Sequence, residues 1–254
     1  MTVKLLNGEE WSREELLVRM LQDDFYYGYL GQNALSSSSA KELLKGAKAY
    51  HNSLSIQASG QALRDGRLIH LNLLEPEKVE NLHIVNGTKA TKAFKEAVKL
   101  HGIDNVYTKS EQANAHFITK ELNNCKPVRD LLDGAAFEVP EIGCVDGLPF
   151  RAKADILRPN CVIDLKTTSD IGSFKYTAKK YGYDLQAALY MELFGVDEFQ
   201  FIVIDKNTKQ IGVYDVSGSF IDSGWEKLER AIKEYRIYTS NSFNLSDYVE
   251  YGTL

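Results

Sequence analysis

The hydrophobic pattern of the chain changes at about residue 135. Before that point apolar residues recur at helical spacing. They predict helices over 12–25, from the serines at 36–39 to about 50, and over 60–74, 89–100 and 110–124. After it, the pattern predicts strands over 136–143, 148–157, 161–168, 199–205 and 211–216, with helices over about 175–194 and 223–238. The tyrosine- and glycine-rich stretch 26–33 reads as a loop.

This order predicts an α/β or α+β fold in a single domain. A helical N-terminal portion (about 1–130) precedes a catalytic sheet core (about 131–240) and a polar C-terminal tail (241–254). No linker rich in Pro, Gly or Ser separates these parts, and 254 residues fit one large domain or two small ones.

Composition excludes several classes of protein. The net charge of −5 argues against coating nucleic acid by bulk charge, although a local basic groove remains compatible with it. Three widely spaced cysteines, with no CxxC pair, argue against a zinc site, a disulfide scaffold and a four-cysteine iron–sulfur cluster. Because no secretion signal or membrane-spanning run is evident, we expect a cytoplasmic protein with no membrane partner.

The strongest chemical signal lies in two adjacent predicted strands. Side chains alternate across a strand, so Val162, Asp164 and Lys166 share one face of a strand that its apolar neighbours predict to be interior. The turn that precedes this strand brings Asp155 beside Asp164. Two such close carboxylates repel each other unless a cation joins them, and Mg²⁺ is the simplest candidate.

Lys166 would complete that site by orienting or deprotonating the attacking water and stabilising transition-state charge. The alternative is structural: Asp164 and Lys166 form an ion pair at a sheet edge, and Asp155 is an ordinary residue before a turn.

These residues resemble the PD-(D/E)XK nuclease superfamily. Asp155 followed by Asp164, Leu165 and Lys166 is similar to its central motif, although Ala154 replaces the usual proline. Residues 186–190 resemble the QxxxY motif of the RecB-like branch, and 66–70 resemble its GxxxH motif. The sequence around these motifs is similar to phage-type recombination exonucleases of the exonuclease VIII (RecE) group, over roughly 33–205.

The resemblance implies a restriction-endonuclease-like core, with a central mixed β-sheet flanked by helices. It implies metal ligation by His70, Asp155, Asp164 and the carbonyl of Leu165, and catalysis by Lys166 with these two aspartates. Gln186 and Tyr190 would support the site or contact the scissile strand; otherwise they are a surface Gln and a core Tyr. We leave Glu138 outside the ligands.

Contacts with DNA are predicted from basic and aromatic residues. Lys175, Lys179 and Lys180 lie among tyrosines near the start of the helix predicted over 175–194, a composition that suits phosphates and unpaired bases. By resemblance Ser38 would lie near a terminal 5′-phosphate. The alternative for Ser38 is a plain helix cap.

The resemblance implies an Mg²⁺-dependent exonuclease, for which Mn²⁺ can substitute. It would digest linear double-stranded DNA from its ends, 5′ to 3′, leaving 3′ single strands for recombination by strand annealing. A ring-shaped homo-oligomer, a single-strand annealing protein as partner and the bacterial host cytoplasm are implied with it. The alternatives are another superfamily enzyme (a repair nuclease, an endonuclease or a Cas4-like nuclease) and a catalytically silent DNA-binding module.

Overall fold

The structure, a computed structural model, describes residues 1–55, 60–247 and 249. Part of the predicted polar tail, 248 and 250–254, lies outside the described residues. The strands are β1 (Thr2–Lys4), β2 (Glu10–Ser12), β3 (His83–Val85), β4 (Val106–Thr108), β5 (Ala136–Val145), β6 (Leu148–Arg158), β7 (Cys161–Thr168), β8 (Glu198–Asp205) and β9 (Ile211–Asp215).

The α-helices are α1 (Arg13–Arg19), α2 (Leu30–Asn33), α3 (Ser37–Leu43), α4 (Ala47–Ser53), α5 (Gln61–Leu74), α6 (Pro76–Val79), α7 (Lys92–His101), α8 (Lys109–Asn124), α9 (Lys126–Leu132), α10 (Phe174–Thr177), α11 (Tyr183–Phe194) and α12 (Gly218–Tyr238). A π-helical segment spans Asp24–Tyr29, and 3₁₀ turns span Ile103–Asn105 and Leu245–Asp247.

A mixed five-stranded sheet organises the molecule in the order β5-β6-β7-β8-β9. Within this sheet only β7 and β8 run parallel to each other, and α10 and α11 form the crossover between them. Asp146 and Gly147, both with positive φ, make the two-residue turn that joins β5 to β6. Pro159 and Asn160 make the turn that joins β6 to β7.

The two faces of the sheet are buried in separate apolar clusters. Val162 and Val203 face a cluster formed with α3, α11 and α12. Ile163 and Leu165, the alternate residues of β7, face a second cluster formed with α5 and α8. The predicted fold class, a mixed sheet flanked by helices in a restriction-endonuclease-like core, is confirmed by this arrangement and by the structural similarity given below.

Two predicted helices are each divided by a glycine. The helix predicted over 175–194 is α10 followed by α11, because Gly182 adopts a left-handed φ of +67° between them. The helix predicted from the serine run to residue 50 divides at Gly46, whose φ is +111°. An L-residue with a side chain rarely adopts such values, so the breaks depend on glycine.

The prediction for the first helix and the loop after it is also wrong. The helix ends at Arg19, and the stretch predicted as a loop is the π-helical segment followed by α2. Tyr26 and Leu30 are buried there, in a third apolar cluster against α1 and β1. Burial of these two side chains explains why the stretch is ordered as helix.

The four short strands β1–β4 are not predicted by the sequence pattern. Each has three residues, too few to show an alternation of apolar and polar side chains. Among the described residues, no helix combines the length and apolarity that a membrane span requires.

Candidate active site

Strands β6 and β7 separate at the point where the acidic residues lie. Their ladder ends at the pair Ile156 and Ile163, so Asp155 and Asp164 occupy the next opposed positions. Asp155 Oδ2 accepts a hydrogen bond of 2.8 Å from the Leu165 backbone N–H. The carboxylate thereby replaces a strand carbonyl as the partner of β7.

Asp164 is held by two side chains on the opposite side. Its Oδ1 accepts a hydrogen bond of 2.6 Å from Gln186 Nε2, and its Oδ2 lies 2.5 Å from Lys166 Nζ. That ion pair lacks hydrogen-bond geometry, which leaves Oδ2 buried without a hydrogen bond. Lys166 also donates to Gln186 Oε1 at 3.2 Å, so Gln186 connects both residues.

His70 reaches the same place from α5. Its Nε2 lies 3.0 Å from the Leu165 carbonyl oxygen and 3.3 Å from Asp155 Oδ2. One turn earlier, Gly66 faces Thr167 of β7, where an added Cβ would lie 3.4 Å from Oγ1. Residue 66 thus lies against the strand, and His70 enters the site from the next turn of α5.

Glu138 completes the cluster, although the sequence interpretation left it out. His70, Glu138 and Asp155 offer ligand atoms that all lie within 4.8 Å of one another. Glu138 has a φ of +51°, an uncommon value for a residue with a side chain. It occupies the position of β5 opposite Asp155, as the pairs that flank it in the ladder show.

Glu138 could have been found by counting from the turn between β5 and β6. Asp146 and Gly147 form a typical hairpin signal, and the ladder pairs Val145 with Leu148 beside it. Counting seven residues outward from that pair in both directions places Glu138 opposite Asp155.

The crowding of charges shifts the pKa values of the site. Burial, with the carboxylates of Asp164 and Glu138, raises the pKa of Asp155 to about 7 against the opposing effect of His70. Burial disfavours the His70 imidazolium, but Asp155, Glu138 and the Leu165 carbonyl outweigh it and raise its pKa to about 9. The carboxylates of Glu138, Asp155 and Asp164 therefore favour the binding of protons, and of cations in general, at this site.

The pKa of Lys166 is also raised. Burial by itself would lower the pKa of its ammonium, but the carboxylates of Asp164 and Asp155 outweigh that effect and raise it. Lys166 is thus a charged ammonium at neutral pH in the absence of metal.

This donor set fits a divalent metal ion. One imidazole nitrogen, the Glu138 and Asp155 carboxylates and the Leu165 carbonyl converge, and oxygen-rich sets of this kind suit Mg²⁺ and Mn²⁺. Asp164 Oδ2, buried beside them without a hydrogen bond, is a further acidic oxygen. Of the predicted ligands, the structure brings His70, Asp155 and Leu165 together, whereas Asp164 is engaged by Lys166 and Gln186.

A family model matches residues 36–244, most of the chain, and is described as a PDDEXK-like domain of unknown function (DUF3799). The chain belongs to this family. The predicted relationship to the PD-(D/E)XK superfamily is therefore confirmed. No protein with a curated function matches the sequence significantly.

Solved structures share the fold of this PDDEXK-like chain. A protein from Eubacterium rectale named as a candidate exonuclease superposes with a TM-score of 0.65 at 17% identity, over 85% of this chain and 86% of that one. A phage-related exonuclease from Haemophilus somnus gives a TM-score of 0.35 at 17% identity, over 80% and 93%. An alkaline exonuclease from Laribacter hongkongensis gives 0.37 at 15% identity, over 87% and 91%. Only the first similarity is close enough to bear on the fold.

In the PDDEXK-like chain, the two residues of the QxxxY motif have different surroundings. Gln186 bonds to both Asp164 and Lys166. Tyr190, a residue of α11, is buried in the apolar cluster that α3, α11 and α12 form with the sheet. Its ring lies 6.2 Å from that of Phe194. This burial favours support of the site over contact with a DNA strand as the role of Tyr190.

The predicted DNA contacts all lie at exposed positions. Ser36 and Ser39 form the capping box of α3, which leaves Ser38 exposed and outside the cap. Lys175, Lys179 and Lys180 are exposed on and after α10. Lys179 donates to the Ser219 carbonyl at 3.1 Å, so its ammonium is partly fixed against α12.

Proposed function

We propose that the protein is a divalent-metal-dependent deoxyribonuclease that digests linear duplex DNA from its ends. The observation that carries the proposal is the convergence of His70, Glu138 and Asp155 beside the pair of Asp164 and Lys166. A structural ion pair explains two of these residues but not the three potential ligand groups that converge beside them. A bound metal ion explains the whole set.

The residues of the chain then have separate tasks. His70, Glu138, Asp155 and the Leu165 carbonyl would hold Mg²⁺, with Mn²⁺ as a substitute, and Asp164 would add a further oxygen. The bound ion would supply Lewis acidity and neutralise charge on the phosphoryl oxygens during in-line attack. The Lys166 ammonium, whose pKa is raised by the Asp164 and Asp155 carboxylates, would orient the attacking water and stabilise developing negative charge.

The finer proposal is a 5′ to 3′ exonuclease that leaves 3′ single strands for recombination. The exonuclease name of the Eubacterium rectale protein, which shares the fold, supports an exonuclease, and the resemblance of the sequence to phage-type enzymes supports the polarity and the product. A ring-shaped homo-oligomer, a single-strand annealing protein as partner and the bacterial cytoplasm belong to the same proposal.

One assay tests both levels of the proposal. Linear duplex labelled at the 5′ or 3′ end and covalently closed plasmid are incubated with Mg²⁺, with Mn²⁺ and with EDTA. We expect metal-dependent release of nucleotides from the 5′ end of linear duplex, with closed circles left intact. If closed circles are digested as readily as linear duplex, the protein is an endonuclease and the exonuclease proposal is wrong. Absence of cleavage with either metal would leave the silent DNA-binding module.

A further inference from the structure

Lys41 lies against the candidate active site without being part of the predicted set. It is half-buried on α3, one turn after Ser38 and therefore on the same side of that helix. Its ammonium lies 5.8 Å from the centre of the Tyr183 ring. The Lys166 ammonium lies 4.8 Å from the centre of the same ring, so one tyrosine borders two cations.

The Lys41 ammonium has no ion-pair partner within 4.0 Å in the part of the chain that the structure describes. Among the residues that the structure describes, Lys41 forms no ion pair and no side-chain hydrogen bond, whereas Lys45 pairs with Glu42 at 2.6 Å and Lys166 with Asp164. Burial, together with the charge of Lys166, lowers the pKa of Lys41 to about 8. A half-buried cation is costly without an anion, which indicates that something anionic completes the surroundings of Lys41.

The absence of a side chain at Gly182 leaves room for the side chain of Lys41. A Cβ added at Gly182 would lie 2.7 Å from Lys41 Cδ and 2.9 Å from Cγ. The same glycine has the left-handed conformation that separates α10 from α11. The break in the crossover therefore creates the space through which Lys41 reaches the Tyr183 ring.

We propose that Lys41 is a phosphate-binding residue, which contacts a phosphate group of the substrate strand next to the site of cleavage. The inference rests on the proposed function, since it takes the anion to be DNA. The other cations of the site have carboxylate partners: Lys166 pairs with Asp164, His70 lies 3.3 Å from Asp155, and Lys153 lies 4.0 Å from Glu138. Lys41 is therefore a cation beside the site with no ion-pair partner among the described residues, and an ammonium is a suitable point charge for phosphate oxygens.

Binding measurements test the role of Lys41 separately from catalysis. Fluorescence anisotropy in EDTA gives the Kd for labelled duplexes that carry a 5′-phosphate or a 5′-hydroxyl, over a series of salt concentrations. Lys41→Met removes the charge and keeps the length of the side chain, and Lys41→Arg keeps the charge. Lys48→Met is the matched control, because Lys48 is exposed on α4 and also forms no ion pair among the described residues.

We expect Lys41→Met to raise the Kd about tenfold, the scale of one lost charge-assisted contact. The slope of log K against log salt should fall by about one unit, as for one lost phosphate contact. Lys41→Arg should retain most of the affinity, and Lys48→Met should match the wild type. Gly182→Ala, which displaces Lys41, should weaken binding as well, and thermal unfolding of each variant shows that it is folded.

Each outcome separates the possibilities. A loss confined to the 5′-phosphorylated duplex assigns Lys41 to the terminal phosphate, and an equal loss on both duplexes assigns it to an internal phosphodiester. Wild-type affinity and salt slope in Lys41→Met, or an equal loss in Lys48→Met, overturns the proposal. If the wild type cleaves DNA and Lys41→Met binds normally, only this inference fails. If the wild type binds DNA but never cleaves it, only the proposed function fails.

Discussion

At the scale of single residues, the arrangement of the candidate site is set by the ion pairs and hydrogen bonds of its charged side chains. Gln186 fixes Asp164 and Lys166 together, so the ammonium stays beside the carboxylates without closing over Asp155. On the other side Glu138 and Asp155 lie beside His70, where a metal ion would replace the proton that His70 holds.

Replacing Lys166 tests the catalytic assignment. Lys166→Ala should reduce cleavage at least about a hundredfold, the usual contribution of a positioned catalytic group. The fold should persist, because Asp164 keeps its bond to Gln186. Single-turnover cleavage and circular dichroism measure the two effects. Lys206→Ala is the matched control, since Lys206 is equally exposed at 18% and pairs with Asp65. Full activity in Lys166→Ala would contradict the assignment.

The raised pKa values predict that metal binding releases protons. Below pH 7 Asp155 is mostly protonated, and below pH 9 His70 is mostly charged, whereas a metal ligand must lose its proton. Affinity for Mg²⁺ should therefore rise as pH increases through this window. Titration calorimetry in buffers of different protonation enthalpy measures the release.

Metal binding should also weaken when a ligand loses its charge, as in Asp155→Asn, Asp164→Asn and Glu138→Gln. His70→Gln should reduce the number of protons released. An affinity independent of pH would argue for other ligands.

At the scale of elements, the site depends on close packing of α11 against α12. A Cβ added at Gly224 would lie 2.2 Å from the Asp184 carbonyl oxygen and 2.9 Å from Ala188 Cβ. The same turn of α11 holds Asp184, fully buried and paired with Lys227 at 2.7 Å. Because Gln186 follows Asp184 by two residues, any displacement of α12 acts close to the site.

The glycine contact predicts a destabilising substitution. Gly224→Ala should lower the free energy of unfolding by about 1–3 kcal/mol, the cost of overpacking, even though alanine favours helix. Gly218→Ala is the control within the same helix, because nothing lies within 4 Å of its added Cβ. Urea denaturation compares the two proteins. Equal stability would show that the helices separate without cost.

The structure at the start of α3 predicts different roles for two of its serines, Ser36 in stability and Ser38 in substrate binding. Ser36→Ala should cost about 1 kcal/mol of stability, because Ser36 accepts the capping bond from the Ser39 N–H. Ser38→Ala should leave stability unchanged and reduce the preference for 5′-phosphorylated over 5′-hydroxyl ends. Thermal unfolding and cleavage of the two substrates measure these effects. A phosphate preference that survives Ser38→Ala would remove Ser38 from the DNA contacts.

At the scale of the whole molecule, a net charge of −5 means that DNA is attracted only where cations are concentrated. We propose that Lys41, near the Tyr183 ring, and the exposed Lys175 and Lys180 supply such cations. Repulsion elsewhere helps to define the path of the strand. Retention of DNA through many cleavage steps then requires something other than bulk attraction.

A closed ring would provide that retention and gives the last prediction. We expect light scattering to give a mass that is a whole multiple, three or more, of 28.6 kDa. Digestion should continue after unlabelled competitor DNA is added, because a ring around DNA cannot dissociate sideways. A monomer that releases its substrate after each cleavage would contradict the ring.

The sequence by itself determined the elements whose pattern is local. The strand predicted over 161–168 has those bounds in the structure, because its largely apolar run, buried at all of the first five residues, is a property of adjacent residues. The opposition of Asp155 and Asp164 follows from the short turn between their strands, and the GxxxH spacing places His70 on a helix. The roles of these residues remain proposals.

The tertiary structure alone decided which distant groups share the site. Glu138 enters through the register of β5 against β6, and Lys41 enters because α3 packs across the break at Gly182. Both depend on contacts between segments that are far apart in the chain, and hydrophobic periodicity carries no information about them. The same reason explains why the π-helical segment was missed: burial of Tyr26 by distant elements, and not local pattern, orders it.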